Sequence, residues 1–369
     1  MVCDVEVLTR LGVRAIQPYQ PGKPIDELAR ELGLESANII KLASNENPLG
    51  PSPKVLVAIE SAATELSRYP DGNGFVLKHA LAEKYGIQQE QVTLGNGSND
   101  VLELIARAFA GPGDEVIFSE YAFVVYPHAT KAVEATPVVV PAVNWGHDLT
   151  AMANAVTDKT KLVFVANPNN PTGTWFSKEA LEAFLGMIPN QVIVVLDEAY
   201  IEYVEDPNFP NGLDYLSQYP NLVVTRTFSK AYGLAGLRVG YSLSSPAIAD
   251  ILNRLRQAFN VNSLALVAAV AALSDHQYLV DSIAINQQGM AQLESGFSEL
   301  GLNYIPSKGN FIAVEVGTQS QTIYQQLLAA GVIVRPVANY QMPNHLRVSI
   351  GLPEENQRLL TVLKQLVAA

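Results

Sequence analysis

Cysteine and positive charge are both scarce in this sequence, and each shortage excludes a class of function. Among 369 residues only Cys3 is a cysteine, so no disulfide can form within the chain, and a reducing cytosol suits it. Lysine and arginine together number 24 against 36 acidic residues, which gives a net charge of −12. Such a chain is not attracted to nucleic acid or to an anionic membrane. We expect a cytoplasmic protein with neither partner, in which an anionic substrate needs a local basic pocket.

Long apolar runs, repeats and metal-ligand clusters are also absent from the sequence. Apolar runs such as residues 192–196 have the length of a strand and fall far short of the roughly 20 residues that span a membrane. The N-terminus has no basic region followed by an apolar core, so no signal peptide is evident. The five histidines are scattered without paired spacing, which predicts no metal site. With 48% hydrophobic residues, the chain is long enough to bury a large core in two domains.

Short β-branched runs alternate with helical segments through the middle of the chain. The strand-like runs are residues 114–118, 136–140, 162–166, 192–196 and 222–224. Strands that are apolar on both faces and are separated by helices predict an α/β fold with a mostly parallel central sheet sandwiched by helices. From residue 304 onward, three strand-like runs and two helices predict a smaller α+β domain. The predicted division is an N-terminal arm with part of the small domain (1–43), a large domain (44–275), and a linking helix with the small C-terminal domain (276–369).

Polar motifs follow several of these predicted strands. GNGSND (95–100) opens a predicted helix at 101–109, and the free N–H groups of such a helix start can bind an anion, although an ordinary helix cap has the same pattern. NPNNPTG places Asn170 in a proline-rich turn. VLDEAY places Asp197 at the tip of an apolar strand and Tyr200 three residues later; a helix cap or a salt bridge also explains Asp197. Because ligands bind beyond the carboxyl ends of parallel strands, we expect these motifs to converge.

The segment TRTFSKAYGLAGLRVGY (225–241) carries the strongest chemical signal. It places Ser229 and Lys230 just after a short apolar strand, and Arg238 follows eight residues later. A lysine held between a hydroxyl and an arginine suits an amine that forms a Schiff base beside a phosphate group. Ser229 can donate to that phosphate, and the planar guanidinium of Arg238 can clamp it. For the Ser-Lys pair alone, a solvated loop lysine remains the alternative.

Taken together in chain order, GNGSN, NPNNPTG, DEAY and SKAYGLAGLR resemble the aspartate-aminotransferase superfamily of pyridoxal phosphate enzymes, which have fold type I. The resemblance covers essentially the whole chain and implies pyridoxal 5'-phosphate as cofactor. It implies that Lys230 forms the internal aldimine and later shuttles a proton, and that Asp197 keeps the pyridine nitrogen protonated. Tyr200 and Asn170 correspond to donors to the phenolate oxygen of the ring. The implied phosphate cradle consists of Ser98, Asn99, Ser229 and Arg238, and Gly97 and Thr227 are further implied cofactor-binding residues.

Two aromatic positions complete the cofactor site that the resemblance implies. Phe123, placed by the FVVYP spacing, corresponds to the ring that stacks on the pyridine, with Tyr121 as the alternative. Tyr69, in RYPDG, resembles the tyrosine that reaches the cofactor phosphate of the partner subunit. The resemblance therefore implies a homodimer with shared active sites.

Several segments resemble one branch of this superfamily, the histidinol-phosphate aminotransferases. They are KLASNENPLGPSP, RYPDG, GNGSNDVLE, YAFVVYP and GVIVRPV…HLRVSIG. The resemblance implies a ping-pong transfer from L-histidinol phosphate to 2-oxoglutarate, giving imidazole-acetol phosphate and L-glutamate, a step of histidine biosynthesis. Arg347 matches the carboxylate-binding arginine of the superfamily, and Arg335 adds a second guanidinium that suits a phosphate dianion. A salt bridge at domain closure is the alternative for Arg335. Further implied substrate contacts are Tyr19, Asn45 and Asn310.

Other functions remain open on sequence alone. An aromatic amino-acid aminotransferase is the nearest competitor, because a pocket that takes an imidazole also takes a phenyl ring. A pyridoxal phosphate decarboxylase acting on a phospho-amino acid has similar motifs. A non-catalytic binding protein of the same fold is poorly supported because Lys230 is present. A nucleotide-binding dehydrogenase is disfavoured because GNGSND is not followed by the expected acidic residue at a strand end.

Overall fold

Thirteen strands and fourteen α-helices make up the described part of the chain. The computed structural model describes residues 5–19 and 21–367, so Cys3 lies outside the described residues. The strands are β1 (Ile40–Lys41), β2 (Val92–Gly95), β3 (Glu115–Ser119), β4 (Thr136–Val140), β5 (Thr160–Ala166), β6 (Ile193–Asp197), β7 (Leu222–Thr227), β8 (Gly240–Ser244), β9 (Tyr304–Ile305), β10 (Phe311–Glu315), β11 (Val332–Ile333), β12 (Arg335–Pro336) and β13 (His345–Ser349). The helices are α1 (Val5–Leu8), α2 (Leu11–Arg14), α3 (Ile25–Leu32), α4 (Pro53–Ala62), α5 (Phe75–Tyr85), α6 (Ser98–Phe109), α7 (Val125–Ala132), α8 (Leu149–Asn154), α9 (Lys178–Met187), α10 (Pro246–Leu255), α11 (Ser263–Leu273), α12 (His276–Glu299), α13 (Ser320–Ala329) and α14 (Pro353–Val367).

A seven-stranded sheet forms the centre of the fold, in the order β2-β8-β7-β6-β5-β3-β4. The strands from β3 to β7 pair with one another in parallel, and β8 runs antiparallel to its neighbours β2 and β7. Every residue of β7 is buried. Because parallel strands need crossover connections, helices cover such a sheet on both faces. The prediction of a mostly parallel sheet sandwiched by helices is confirmed.

The two faces of this sheet pack against separate sets of helices. On one face, Val194 and Val224 join a core that includes residues of α4, α5, α8, α9 and α11. On the other face, their neighbours Val195 and Val223 join a core with residues of α6, α7 and α10. Successive side chains of a strand point to opposite faces, so each run of valines serves both cores. Each such buried side chain stabilises the fold by about 1.5–3 kcal/mol.

A second, four-stranded antiparallel sheet lies in the C-terminal part, in the order β12-β13-β10-β9. Its core includes Leu293 of α12, Leu327 of α13 and Leu359 of α14. Strand β1 pairs in parallel with β11, so residues before position 44 join the C-terminal part of the chain. The predicted domain boundaries at 43–44 and 275–276 stay predictions.

Two helices differ from the sequence prediction at their ends. The helix expected at 101–109 begins at Ser98, because Gly97 serves as its N-cap with a φ of 85°. Apolar spacing in the sequence also predicts a helix over residues 248–259, whereas α10 ends at Leu255 because the next residue is extended with a ψ of 133°. In both cases the backbone conformation of one flanking residue, rather than apolar periodicity, sets the boundary.

No single helix among residues 5–19 and 21–367 is long and apolar enough to cross a membrane. The helices α11 and α12 pass that test of length and composition only as a pair, and they bend by 82° where they meet. In α11, Ala265, Ala268 and Ala269 are buried in the core that also holds Val194.

Candidate active site

A cavity of about 290 Å³ lies at the carboxyl ends of the parallel strands. Ala166, Asp197 and Thr227, the last residues of β5, β6 and β7, all line it. This edge of a parallel sheet is where ligands bind in such folds. The predicted site residues that line the cavity are Tyr19, Asn45, Ser98, Asn99, Phe123, Asn170, Asp197, Tyr200, Thr227, Ser229, Lys230, Arg238 and Arg347. The predicted residues outside its lining are Gly97, Tyr69, Asn310, Arg335 and the alternative Tyr121.

Lys230 presents a buried amine that is poised to lose its proton. It lies three residues beyond the end of β7, and its Nζ donates to the backbone oxygen of Ser44 over 3.1 Å. Burial is the main cause that lowers the pKa of Lys230 to about 7, and the positive charges of Arg347 and Arg238 lower it further. The carboxylate of Glu46 acts in the opposite direction. A neutral amine is a nucleophile and a base, so Lys230 can do both kinds of chemistry near neutral pH.

Asp197 is a buried carboxylate whose partners are all neutral. Only 5% of the residue is exposed. The Tyr126 hydroxyl donates to its Oδ2 over 2.8 Å, and the Thr225 hydroxyl donates to its Oδ1 over 3.1 Å. Burial raises the pKa of Asp197 although both hydroxyls oppose this effect. A buried carboxylate without a described cation beside it favours a ligand that brings a positive charge.

The N-terminus of α6 and the Arg238 guanidinium lie close together at the cavity. Gly97 caps this helix, and a Cβ at that position would lie 2.5 Å from Nη2 of Arg238. Glycine therefore allows the guanidinium to approach the helix start closely. Arg238 also donates to the Ser229 hydroxyl over 3.4 Å. The backbone N–H groups at a helix start, with a guanidinium and hydroxyls beside them, suit a phosphate group.

Arg335 and Arg347 lie directly opposite each other across the antiparallel strands β12 and β13. Residues at such positions have side chains on the same face of the sheet, and like charges there repel. Each arginine is only 6% exposed, and neither forms a salt bridge with a residue among 5–19 and 21–367. Burial lowers the pKa of Arg347, and the charge of Arg335 lowers it further. The pair therefore favours an anionic ligand.

Arg347 reaches the cavity directly, whereas Arg335 adjoins it through Tyr19. The Nη1 atom of Arg347 donates to Asn170 Oδ1 over 2.5 Å, and its Nη2 donates to the Ala43 oxygen over 2.8 Å. The Arg335 guanidinium lies 5.4 Å from the centre of the Tyr19 ring, which lines the cavity. Such a cation–π contact orders the tyrosine against the arginine. Arg335 thus contacts a residue of the cavity lining although it does not line the cavity itself.

A chain of amide and hydroxyl contacts supports Tyr200. The Asn45 side chain donates to the Tyr200 hydroxyl over 2.9 Å. Asn310 is 1% exposed, and its side chain donates to the Asn45 backbone oxygen over 3.0 Å. Burial raises the pKa of Tyr200 to about 12, while the charge of Arg347 opposes this effect. Asn310 thus supports Asn45 from outside the cavity lining, and its predicted contact with substrate stays a prediction.

The two aromatic candidates for ring stacking lie in different places. Phe123 lines the cavity, and its ring packs edge-on against that of Tyr126 with 6.0 Å between the centroids. Tyr121 has a positive φ of 54° and packs against Trp145, 5.1 Å between centroids. The geometry therefore favours Phe123 as the ring that faces a ligand.

Tyr69 lies on the surface of the chain. It is 82% exposed, and its ring stacks on that of Phe259 with 4.7 Å between the centroids. Within this chain it does not line the cavity. Its predicted contact with the cofactor of a partner subunit stays a prediction.

Sequence reasoning did not identify Ser44, Glu46, Tyr126 and Tyr340, which also line the cavity. Tyr126 follows Phe123 by three residues inside the FVVYP stretch, so helical spacing is a signal that points to it. Ser44 acts through its backbone oxygen, which no side-chain pattern reveals. Tyr340 reaches the cavity from a turn between β12 and β13, and only the pairing of these short strands places it there.

Comparison with known proteins decides the family. Residues 37–363 match the aminotransferase class I and II family. The chain belongs to this family. That family is consistent with a buried amine of lowered pKa, a carboxylate without a described cationic partner and a helix start beside a guanidinium, all around one cavity.

The similar aminotransferases include curated proteins and solved structures. Proteins named histidinol-phosphate aminotransferase 2 from Pseudomonas fluorescens and Pseudomonas aeruginosa are each 63% identical to this chain over 365 residues, with 99% of both chains covered. The histidinol-phosphate aminotransferase from Sinorhizobium meliloti, solved in complex with pyridoxal-5'-phosphate, superposes with a TM-score of 0.89 at 30% identity, covering 98% of this chain and 97% of that one. Thermus thermophilus aspartate aminotransferase with maleate has a TM-score of 0.81 at 23% identity over 97% of this chain and 99% of that one, which shows a shared fold.

We expect the Lys230 amine of the cofactor-free aminotransferase to react with a small acylating reagent at a rate that is half-maximal near pH 7. Because its pKa is lowered, the unreactive ammonium form predominates below that pH and the neutral amine above it. An unperturbed lysine, with a pKa of about 10.4, gains reactivity up to a much higher pH. Mass spectrometry of the labelled peptide across a pH series measures the rate.

Two variants serve as controls for this titration. Arg347→Gln removes a charge that lowers the pKa of Lys230, so the midpoint should rise; Glu46→Gln removes a charge that raises it, so the midpoint should fall. A wild-type rate that keeps rising beyond about pH 9 would contradict the buried, neutral amine.

Proposed function

We propose that this aminotransferase transfers the amino group of L-histidinol phosphate to 2-oxoglutarate, giving imidazole-acetol phosphate and L-glutamate, with pyridoxal 5'-phosphate as cofactor. The observation that carries the substrate assignment is the pair of buried guanidinium groups, Arg335 and Arg347, beside one cavity. A phosphate dianion matches two such groups better than a single carboxylate does. The names of the 63% identical relatives support the same substrate.

The cavity fits the cofactor at each of its charged points. The helix start at Ser98 and the guanidinium of Arg238 would hold its phosphate, together with Asn99, Thr227 and Ser229. The Asp197 carboxylate, which has no cationic partner among the described residues, would hold the protonated pyridine nitrogen. When bound, pyridoxal phosphate supplies an electron sink for the substrate carbon that loses its proton.

Tyr200 and Asn170 each keep a donor free for the cofactor's phenolate oxygen. The Tyr200 hydroxyl accepts a hydrogen bond from Asn45, so its own hydrogen is available. The Asn170 side-chain oxygen accepts from Arg347, so its NH₂ group is available. Both residues line the cavity. We therefore assign them as donors to that oxygen.

Lys230 is the group that moves the proton of the substrate. Its pKa, lowered to about 7, lets Nζ take a proton from the Cα of the amino substrate at neutral pH and return it one step later. The Ser44 backbone oxygen, 3.1 Å away, orients the amine. In a ping-pong cycle the first product leaves before 2-oxoglutarate enters, so the same arginine pair must receive the acidic groups of both substrates.

The substrate assignment is tested by titrating the purified protein, loaded with pyridoxal phosphate, with histidinol phosphate and separately with phenylalanine. Amine transfer to the cofactor removes its visible absorbance band. We expect histidinol phosphate to do this at a far lower concentration, because only its phosphate uses both guanidinium groups fully. Phenylalanine acting equally well would identify an aromatic amino-acid aminotransferase. Absence of any cofactor band would overturn the role of Lys230.

Arg335→Ala should lower kcat/KM for histidinol phosphate by about 10- to 100-fold, the usual effect of losing a charge-assisted hydrogen bond. The loss for phenylalanine should be smaller, because Arg347 alone can bind a carboxylate. Steady-state kinetics with both amino donors measures the difference. Arg254→Ala, which removes an exposed arginine paired with Asp250, is the matched control and should change neither value. Equal losses for the two donors would assign Arg335 a purely structural role.

A homodimer is part of the proposal because an apolar patch lies open on the surface. The patch consists of residues that are each more than half exposed: Leu56, Val57, Leu66, Tyr69, Phe75 and Val76. So many exposed apolar side chains within residues 56–76 favour a protein partner, and most soluble oligomers consist of copies of one chain. We propose that Tyr69 of this patch reaches the cofactor phosphate of the partner.

The cytoplasmic location is proposed from the single cysteine of the sequence.

A complementation experiment tests the shared site. Heterodimers that combine one Lys230→Ala chain with one Tyr69→Ala chain, isolated with two different affinity tags, should regain about half of the wild-type activity. If Tyr69 acts in the partner's site, one of the two sites carries neither change. If it acts within its own chain, both sites are defective and no activity returns. Homodimers of each variant provide the baseline.

A further inference from the structure

Tyr340 occupies a position at the substrate end of the cavity to which the proposed function assigns no role. A short turn, Ala338–Tyr340, follows β12 and carries this tyrosine into the cavity wall. The residue is 6% exposed, and burial raises its pKa, so its hydroxyl keeps its hydrogen at neutral pH. Within residues 5–19 and 21–367, no side chain accepts that hydrogen in a hydrogen bond.

The surroundings of Tyr340 are the groups of the proposed phosphate site. After burial, the charges that act most on its hydroxyl are those of Arg347, Tyr19 and Arg335. The backbone N–H of Val124, at the start of α7, interacts with the phenolic oxygen. The oxygen therefore already has a donor, whereas the hydrogen is free to be donated. A hydroxyl hydrogen in the wall of a cavity, without an acceptor among the described side chains, is free to be donated to a ligand.

A phosphate offers more acceptor oxygens than a carboxylate does, so it can use a further donor beside the arginine pair. Arg347 already donates one N–H to the Asn170 side chain and another to the Ala43 backbone oxygen. A carboxylate has two oxygens, and a planar guanidinium can bind both at once. A phosphate monoester has three strong acceptor oxygens in a tetrahedral arrangement, so one of them lies outside the plane of a guanidinium that binds the other two and can accept from a further donor. Tyr340 and Arg347 line the same cavity, and the charges of both arginines act on the Tyr340 hydroxyl.

We propose that the Tyr340 hydroxyl donates a hydrogen bond to the phosphate of the amino substrate and so discriminates this phosphate from the carboxylate of the second substrate. The proposal rests on the proposed function, in which one pocket receives both acidic groups in turn. Tyr340 thereby acts as a specificity residue. Its hydroxyl contributes to binding in the half-reaction with histidinol phosphate and is dispensable in the half-reaction with glutamate.

The test replaces Tyr340 with phenylalanine, which removes the hydroxyl and keeps the ring. In the holoenzyme, Tyr340→Phe should raise KM for histidinol phosphate by about 10- to 100-fold, the expected effect of a lost hydrogen bond to a charged group. The KM for glutamate and both kcat values should stay within about twofold of the wild type. Tyr304→Phe removes a hydroxyl from β9, which belongs to the same four-stranded sheet as β12. It is the control and should change none of these values.

A structural role of Tyr340 predicts a different result. If its hydroxyl mainly holds the Val124 backbone in place, both half-reactions lose activity by the same factor. Equal losses, or no loss, would overturn the proposal.

A second measurement separates this proposal from the proposed function. Calorimetric titration of the holoenzyme with inorganic phosphate, and separately with succinate, needs no turnover. Tyr340→Phe should weaken phosphate binding by about 10-fold or more and leave succinate binding unchanged. If the wild type does not use histidinol phosphate, the proposed function fails, while the phosphate titration still decides the role of Tyr340. Unchanged phosphate affinity in the variant would reject the role in either case.

Discussion

Burial of charges without ion-pair partners is the constraint on which this active site depends. Asp197 has only neutral hydrogen-bond donors, and Arg335 and Arg347 face each other across two strands without an ion pair to a described carboxylate. An uncompensated buried ion costs several kcal/mol, so the surrounding cores must stabilise the fold by more than that. The same cost makes each position complementary to an opposite charge. A ligand with a cationic ring nitrogen and anionic groups at both ends relieves all of these positions together.

The central sheet fixes this charge pattern. Asp197 and Thr225 are direct partners in the register of β6 and β7, and the Thr225 hydroxyl binds the carboxylate. Arg226, the next residue of β7, forms a buried ion pair with Glu198 at 2.7 Å. Because side chains alternate along a strand, this ion pair lies on the opposite face from the Thr225 contact. The strand ends are thus held from both sides, which keeps the carboxylate in place without placing a cation next to it.

The sequence predicted the parallel sheet and most of the cavity for a simple reason. Runs of buried β-branched residues identify the parallel strands, and the polar residues that follow them must meet at one edge, as Asp197 and Lys230 do. What depends on tertiary pairing could not be predicted in this way. Strand β12 has only two residues, too few for a periodic pattern, so neither the register of Arg335 with Arg347 nor the position of Tyr340 was visible. The family prediction is confirmed, because a conjunction of several motifs is far more specific than any one.

Because the net charge of the chain is −12, the arginine pair must attract anionic substrates against the field of the whole protein. At a distance, the field of the whole chain repels a phosphate dianion and a dicarboxylate alike, and salt screens this repulsion beyond about 8 Å at physiological ionic strength. Within that range the buried guanidinium groups attract the anionic substrate, and water and ions screen this attraction poorly because the site is buried. Charge attraction alone therefore captures both substrates and cannot rank them well. Selection between a phosphate and a carboxylate therefore depends on directional donors that are placed to meet the oxygens of one group and not of the other. A neutral hydroxyl beside two arginines is such a donor, so it can govern specificity.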